Sequence, residues 1–275
     1  MQDSGRQPRV RAEEDYQRVT RLASLRNLWS AVTGRSNSLV PYEDMKRTLG
    51  FSNQRYQGLQ PVPLDKIVGS LGRSDDFDRF FLPTQRHSRG KWVSVDSAYL
   101  QGVTLPPISL YKVGDAYFVV DGHHRVSVAR QKGQAFIDAE VIEVQSRVPV
   151  TAELSLEDLD ALGAYRDFLE ETKLDQLRPE QDLHLTMPGD YFKLIDHIRM
   201  HKYFVETNES RELDWPEAVT HWFDNVYVPV IEAIRDNNLL DNFPGHTEAD
   251  LYFWIIEHAY YLSQELGQEV SAWQA

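Results

Sequence analysis

The sequence predicts an α/β (α+β) domain set between a helical arm and an all-α, acidic region. Three observations carry that reading. Short apolar runs alternate with helical stretches between Val62 and Val144, and from Ser155 onward the apolar spacing is helical throughout. The charge also changes sign along the chain: residues 1–150 carry 21 Lys and Arg against 16 Asp and Glu, a balance of +5, whereas residues 151–275 carry 8 against 26, a balance of -18. The expected organisation is a helical arm over 1–60, an α/β domain over 61–147 and an acidic helical domain over 148–275.

In the arm, Tyr16, Val19, Leu22, Ala23, Leu25, Trp29 and Val32 recur at helical spacing and stop at Gly34, and Pro41 opens a shorter helix that ends near Gly50. The first helix also carries Arg18, Arg21 and Arg26, with Arg35 just beyond Gly34. A basic amphipathic helix can touch DNA or a membrane, but bulky Trp and Leu in the stripe predict packing against the next domain.

The middle region reads as a strand over Val62–Val68, strands over Ile108–Val113 and Ala116–Val120, a helix through Arg125–Gln131 and a strand over Ile137–Val144. Gly114-Asp115 supplies the positive φ angles of a tight hairpin. Gly133 is expected to close the helix as a C-terminal cap.

In the acidic region, Ser155-x-x-Asp158 and Thr247-x-x-Asp250 resemble capping boxes, and Pro188 and Pro216 suit the first turns of helices. Four or more helices are expected. The last has an apolar face of Leu251, Tyr252, Ile255, Ile256, Ala259, Leu262 and Leu266 that ends at Gly267. Its neighbours carry His197 and His201 four apart, and His221 and Asp224 three apart, while Glu257-His258 lies on the last helix itself; a bundle can gather such groups around a metal.

Composition narrows the function. A chain of 275 residues with 41% hydrophobic content can build a real core. The absence of cysteine removes disulfides, thiolate nucleophiles and Cys-ligated metal sites, and suits a reducing, cytoplasmic setting. No apolar run suits a signal peptide or a membrane span. The acidic half repels nucleic acid, so DNA binding is expected to be weak or absent and confined to the first half.

The chemically densest string is Asp121-Gly122-His123-His124-Arg125, where an apolar strand runs directly into a helix. Unpaired amides at a helix N-terminus carry partial positive charge, Gly122 permits close approach of a phosphate, and His123, His124 and Arg125 add donors. Asp121 can hold Mg²⁺ or accept a proton from a hydroxyl. A purely structural cap with local ion pairs is the competing reading. Gly69-Ser70-Leu71-Gly72-Arg73-Ser74 is a second candidate, in which Gly69, Gly72 and Arg73 embrace the same phosphate or form an ordinary turn. Arg86, His87, Arg89 and Lys91 form a further basic cluster over a bound nucleotide or in a solvated connection.

The succession VPLDKIV, then LPPISLYKVGDAYFVVDGHHRVSVARQKGQAFIDAEVIEV, resembles the ParB/sulfiredoxin superfamily over about 84 residues. Gly122 and Arg125 match its Gly-x-x-Arg motif, whose helix N-terminus binds nucleotide phosphates in that superfamily. DGHHR is most similar to the free-serine kinase branch, which uses the Asp and His residues around the transferred phosphate. The resemblance implies a nucleotide (ATP, ADP or CTP) with Mg²⁺ on Asp121. It makes Asp121, His123 and His124 catalytic candidates, and Gly122, His123, His124, Arg125 and Ser127 nucleotide contacts.

Departures limit what the resemblance implies. Without cysteine, sulfinic acid reduction is excluded, and the region after the domain is acidic where chromosome-partitioning proteins carry a basic helix-turn-helix. The kinase branch uses an early Glu base, yet no Glu lies between Glu43 and Glu140, so Asp75, Asp76, Asp78 or Asp96 would have to serve. The leading expectation is an NTP-dependent phosphotransferase acting on a small hydroxyl substrate, or an NTPase. A nucleotide-switched, DNA-associated regulator is the alternative, and a helix-bundle metalloprotein the third.

Overall fold

The computed structural model describes residues 6–34, 36–51 and 53–266, and the chain divides into two compact units, Met1–Leu159 and Asp160–Ala275. The strands of the first unit are β1 (Val40–Pro41), β2 (Gln54–Pro63), β3 (Ile67–Ser70), β4 (Ile108–Val113), β5 (Ala116–Asp121) and β6 (Phe136–Val144). Its helices are α1 (Arg6–Thr33), α2 (Tyr42–Leu49), α3 (Arg89–Leu100) and α4 (His123–Gln131). The strands form one mixed sheet in the order β1-β3-β5-β4-β6-β2. β1, β3 and β5 run parallel, β4 is antiparallel to β5 and parallel to β6, and β2 is antiparallel to β6.

The β4–β5 hairpin turns through Gly114 at φ +56°, and Gly133, at φ +71°, follows α4. The stretch 62–68 is two strands rather than one. Pro63 ends β2, Leu64–Lys66 makes a 3₁₀ turn, and β3 starts at Ile67. Carbonyls that leave a ladder in the interior need other donors. Arg130 supplies them, reaching the Leu64 and Ile67 carbonyls at 2.5 and 2.7 Å. β1 and most of β2 come from residues 1–60, so the sheet draws on the segment expected as an arm, and the compact unit that holds it runs to Leu159.

Alternation along β5 sends Val119 and Phe118 to opposite faces of the sheet. Val119 joins Ile67, Leu110, Val126, Ala129 and Val141 in the core that includes α4. On the other face Tyr42 of α2 stacks on Tyr111 at 4.7 Å and meets Phe118 at 5.7 Å. α1 packs through Ala12, Tyr16, Val19 and Ala23 into a cluster with Trp92, Val93 and Val128. Lys132 fastens this layer by pairing with Asp15 at 2.8 Å and with Asp96 at 2.7 Å. Burial works against the charge of Lys132, but the two carboxylates hold its pKa above the ordinary value.

The rest of the expected α1 stripe does not pack: Leu22, Leu25, Trp29 and Val32 are exposed. At 100° per residue they lie roughly 130° around the helix from the packed set, so one neighbouring layer cannot cover both. Arg35 lies outside the described residues.

The second unit contains α5 (Leu159–Thr172), which begins at the division, then α6 (Leu174–Leu177), α7 (Asp190–Glu209), α8 (Trp215–Trp222), α9 (Val228–Asp236) and α10 (Glu248–Leu266). Thr247 and Asp250 cap α10 reciprocally, with N–H bonds of 2.8 and 3.2 Å, and Ser155 and Asp158 form the other expected box ahead of α5. Pro216 sits in the first turn of α8, whereas Pro188 stands just before Gly189, the N-cap of α7. Buried Trp222 donates to the Tyr252 hydroxyl at 2.9 Å, and Tyr227 packs on both rings. Leu251, Tyr252 and Ala259 form the inner face of α10; the side chain of Leu266 and the expected stop at Gly267 lie outside the described residues. No described helix is long and apolar enough to cross a membrane.

Candidate functional site

β5 delivers Asp121 to the surface, and the chain turns into α4 at Gly122, whose φ of 101° and ψ of 19° belong to the left-handed region. A Cβ at Gly122 would lie 2.3 Å from Ile108 Cγ2, so both backbone conformation and space require glycine. α4 has no side-chain cap, and its first turn is closed by the Val126 amide donating to the Gly122 carbonyl at 3.0 Å. The amides of His123, His124 and Arg125 stand ahead of that bond and supply the positive end of the helix.

The two histidines are buried, with His123 turned inward. His123 Nε2 lies 2.8 Å from Ser70 Oγ at the end of β3, and its ring stacks on Phe77 at 6.0 Å. His124 meets the same Phe77 edge-on at 5.2 Å, and its Nδ1 is buried with no hydrogen-bond partner. Burial, reinforced by Arg73 and their other cationic neighbours, pushes both imidazoles down to about 4. They are therefore neutral near pH 7, and the positive charge here comes from Arg73, Lys91, Arg125 and the helix end.

Arg125 is already engaged. It donates to the carbonyls of Pro106 and Pro107 at 2.6 and 2.7 Å and to Asp121 Oδ2 at 2.5 Å. It fixes the 106–107 segment against α4, and the Asp121 side chain it pairs with is largely exposed. Arg73 makes a longer contact of 3.7 Å to Asp76, which also faces His87 Nε2 at 3.3 Å. Lys91 makes no ion pair among the described residues. Arg73, Lys91, Ser94 and the segment Val120–Arg125 line an open cleft of about 470 Å³.

Three sequence candidates, Gly69, Gly72 and Ser127, do not line this cleft. Gly69 is not in a loop but in β3, buried under Phe118, where a Cβ would come within 2.3 Å of the ring and 2.4 Å of the Val40 carbonyl. Ser127 is fully buried and accepts a hydrogen bond from Trp92 Nε1 at 2.8 Å, on the α3 side of the helix. Gly72 takes φ +71° in the turn that carries Arg73 toward the cleft. Ser70 and Phe77, not singled out in the sequence, hold the histidines. Ser70 stood within the Gly69–Ser74 string, but only the fold brings β3 beside α4.

The metal site that stood as the third alternative for the acidic region gains no support: no group of three or more His, Asp or Glu is placed to hold a metal among the described residues. The side chains find other partners. His197 Nδ1 lies 3.0 Å from the Tyr252 hydroxyl, His201 Nε2 lies 2.9 Å from His221 Nδ1, and Asp224 receives the Arg178 guanidinium, with Nε at 2.9 Å.

Fold and site define a mixed α/β protein with an uncapped helix N-terminus at a cationic cleft. A family model described as a domain of unknown function (DUF4032) matches residues 192–275, within the helical region. No curated protein matches the chain. A solved structure of a Pnob8-like ParB-N domain aligns over 78% of this chain and 84% of that one, with 12% identity and a TM-score of 0.22.

Proposed function

We propose that the first unit is a ParB/sulfiredoxin-like nucleotide-binding domain that holds the phosphates of ATP, ADP or CTP in the cleft at the α4 N-terminus. The observation that carries this reading is the uncapped turn at Gly122 facing Arg73 and Lys91, with the buried Nδ1 of His124 lacking a partner beside it. Helix amides and two cations suit an anion, and an orphaned buried nitrogen gains most from a ligand that satisfies it. The neutral histidines act as hydrogen-bonding groups rather than as fixed charge.

Catalysis, in this proposal, is transfer of a phosphoryl group to a small hydroxyl substrate or to water. Asp121 offers one carboxylate oxygen; Mg²⁺ commonly takes one or two carboxylates and completes its shell with phosphate oxygens and water. The ion would neutralise charge on the phosphates. Where it holds no metal, Asp121 would instead accept the hydroxyl proton. Cationic side chains around the phosphates do most of their work by positioning and charge stabilisation.

A thermal-shift panel of ATP, ADP, CTP and inorganic phosphate, with and without Mg²⁺, tests the reading. A ligand bound only by the folded state adds about 2.7 kcal/mol of stability at a hundred times its Kd. At least one nucleotide is expected to raise the Tm of the wild type and to do so far less in Arg73→Ala/Lys91→Ala. No shift with any nucleotide, or equal shifts in wild type and variant, rejects the site.

A further inference from the structure

Arg125 lines two cavities: the cleft at the α4 N-terminus, and a second of about 300 Å³ bordered by the end of α3, the segment before β4 and the start of β6. Pro106 and Pro107, whose carbonyls accept from its guanidinium, line the second cavity, and its ion-pair partner Asp121 lines the first. Val128 and Ala129, also on the second wall, lie roughly 8–9 Å along the helix from His123. The volume is at the lower end of small-molecule sites. Tyr99, Val103 and Phe136 on its wall are 37%, 51% and 58% exposed. Single exposed apolar side chains are ordinary, but three gathered on one concave wall suit a ligand. Two polar side chains share that wall: Asp138, and Gln134, whose Nε2 donates to the Tyr99 hydroxyl at 3.5 Å.

We infer that this second cavity holds the base of the nucleotide whose phosphates lie in the α4 cleft, and that it takes a base carrying an exocyclic amine. The inference rests on the phosphate reading proposed above. Bases stack on aromatic side chains whatever their identity, so Tyr99 and Phe136 supply affinity rather than choice. Asp138 supplies the choice, because a carboxylate only accepts hydrogen bonds. The amines of adenine, cytosine and guanine donate at the edge of the ring, and carboxylates are known acceptors for the cytosine amine. Uracil has no amine, and its one edge N–H sits between two carbonyl oxygens that repel a carboxylate. Arg125 holds Asp121 and the Pro106–Pro107 segment at once, which fixes the spacing between the two parts of the ligand.

Titration calorimetry of the full chain with ADP, CDP, GDP, UDP and pyrophosphate, all with Mg²⁺, separates the two readings. At least one of the three amine-bearing nucleotides is expected to bind roughly tenfold or more tighter than pyrophosphate, through stacking, and tighter than UDP. Phe136 and Asp138 are both exposed, so alanine at either is expected to leave the fold intact. Phe136→Ala is expected to bring nucleotide affinity close to that of pyrophosphate, and Asp138→Ala to erase the preference over UDP. Neither changes pyrophosphate binding. Nucleotides that bind no tighter than pyrophosphate, or a gain that both variants retain, overturn the base pocket and leave the phosphate cleft standing. UDP binding as tightly as the other three overturns the choice of base. Absence of binding by pyrophosphate and nucleotides alike rejects the cleft, and the base pocket with it.

Discussion

Ser70 Oγ and His123 Nε2 lie 2.8 Å apart, joining the end of β3 to the first turn of α4. Both groups are buried, so neither can exchange this bond for water. Removing one partner of a buried pair leaves the other to bear its desolvation cost of about 1–3 kcal/mol. Ser70→Ala is therefore expected to lower unfolding stability by that amount in urea melts. Because His123 also orients the neighbouring turn, the same variant is expected to weaken the nucleotide-induced Tm shift. A stability equal to that of wild type would show that the contact contributes nothing.

The cleft histidines make the first unit acid-sensitive. Their folded pKa values of about 4 lie below the ordinary 6.5, chiefly through burial. As pH falls below about 7 the unfolded chain takes up protons before the folded one, so stability declines through the window from 7 to 4 and levels off beneath it. Each residue contributes on the order of 3 kcal/mol at the acid limit. Half-buried His197 in the second unit, also pushed to about 4, acts in the same sense. A pH series of urea melts is expected to give a shallower decline in His124→Gln than in wild type.

Two glycines of the site region separate packing from binding. Gly69→Ala would drive a methyl into Phe118 and the Val40 carbonyl, a core overpacking that commonly costs 1–3 kcal/mol, or more when backbone must move. Gly122→Ala adds the strain of a positive φ and a clash with Ile108 at the cleft itself. Both variants are expected to melt at lower temperature. Gly69→Ala retains a nucleotide-induced shift under conditions where it is folded, and Gly122→Ala does not.

Much of this architecture is legible in the sequence because local rules govern it. Gly114, Gly133, Pro216 and the Thr247–Asp250 box act through their own neighbours and are found where periodicity puts them. The misses are long-range. Gly69 and Gly72 look alike in sequence, yet one is fixed by Phe118 of a neighbouring strand and the other by a turn. Ser127 shares the helix of the site but faces Trp92, and Arg125 is engaged by Pro106 and Pro107, nineteen and eighteen residues earlier. The α1 stripe misled for a related reason: apolar spacing identifies a face and not the body that covers it.

The charge division bears on nucleic acid. Phosphate contacts release counterions, so true DNA binding weakens steeply as salt rises, and the surplus cations lie in the first half. Electrophoretic or anisotropy titrations are expected to find at most weak, salt-labile binding by the full chain, removed by Arg18→Ala/Arg21→Ala/Arg26→Ala. Tight, sequence-selective binding at physiological salt would make the DNA-associated regulator the better reading.

Asp121 and Arg125 form an ion pair of 2.5 Å, yet their substitutions are expected to differ in kind. Arg125→Ala frees two proline carbonyls and loosens the segment that borders α4, so it is expected to lower Tm as well as nucleotide response. Asp121 is largely exposed, and Asp121→Asn keeps its size and an oxygen acceptor for Arg125. That variant is expected to melt close to wild type and still shift with nucleotide. If Asp121 acts on the metal or the hydroxyl proton, turnover with free serine or water as acceptor falls by two orders of magnitude or more, about 2.7 kcal/mol of transition-state stabilisation. Equal turnover in Asp121→Asn and wild type removes Asp121 from the reaction. Nucleotide binding without any turnover in wild type assigns the cleft to a switch rather than an enzyme.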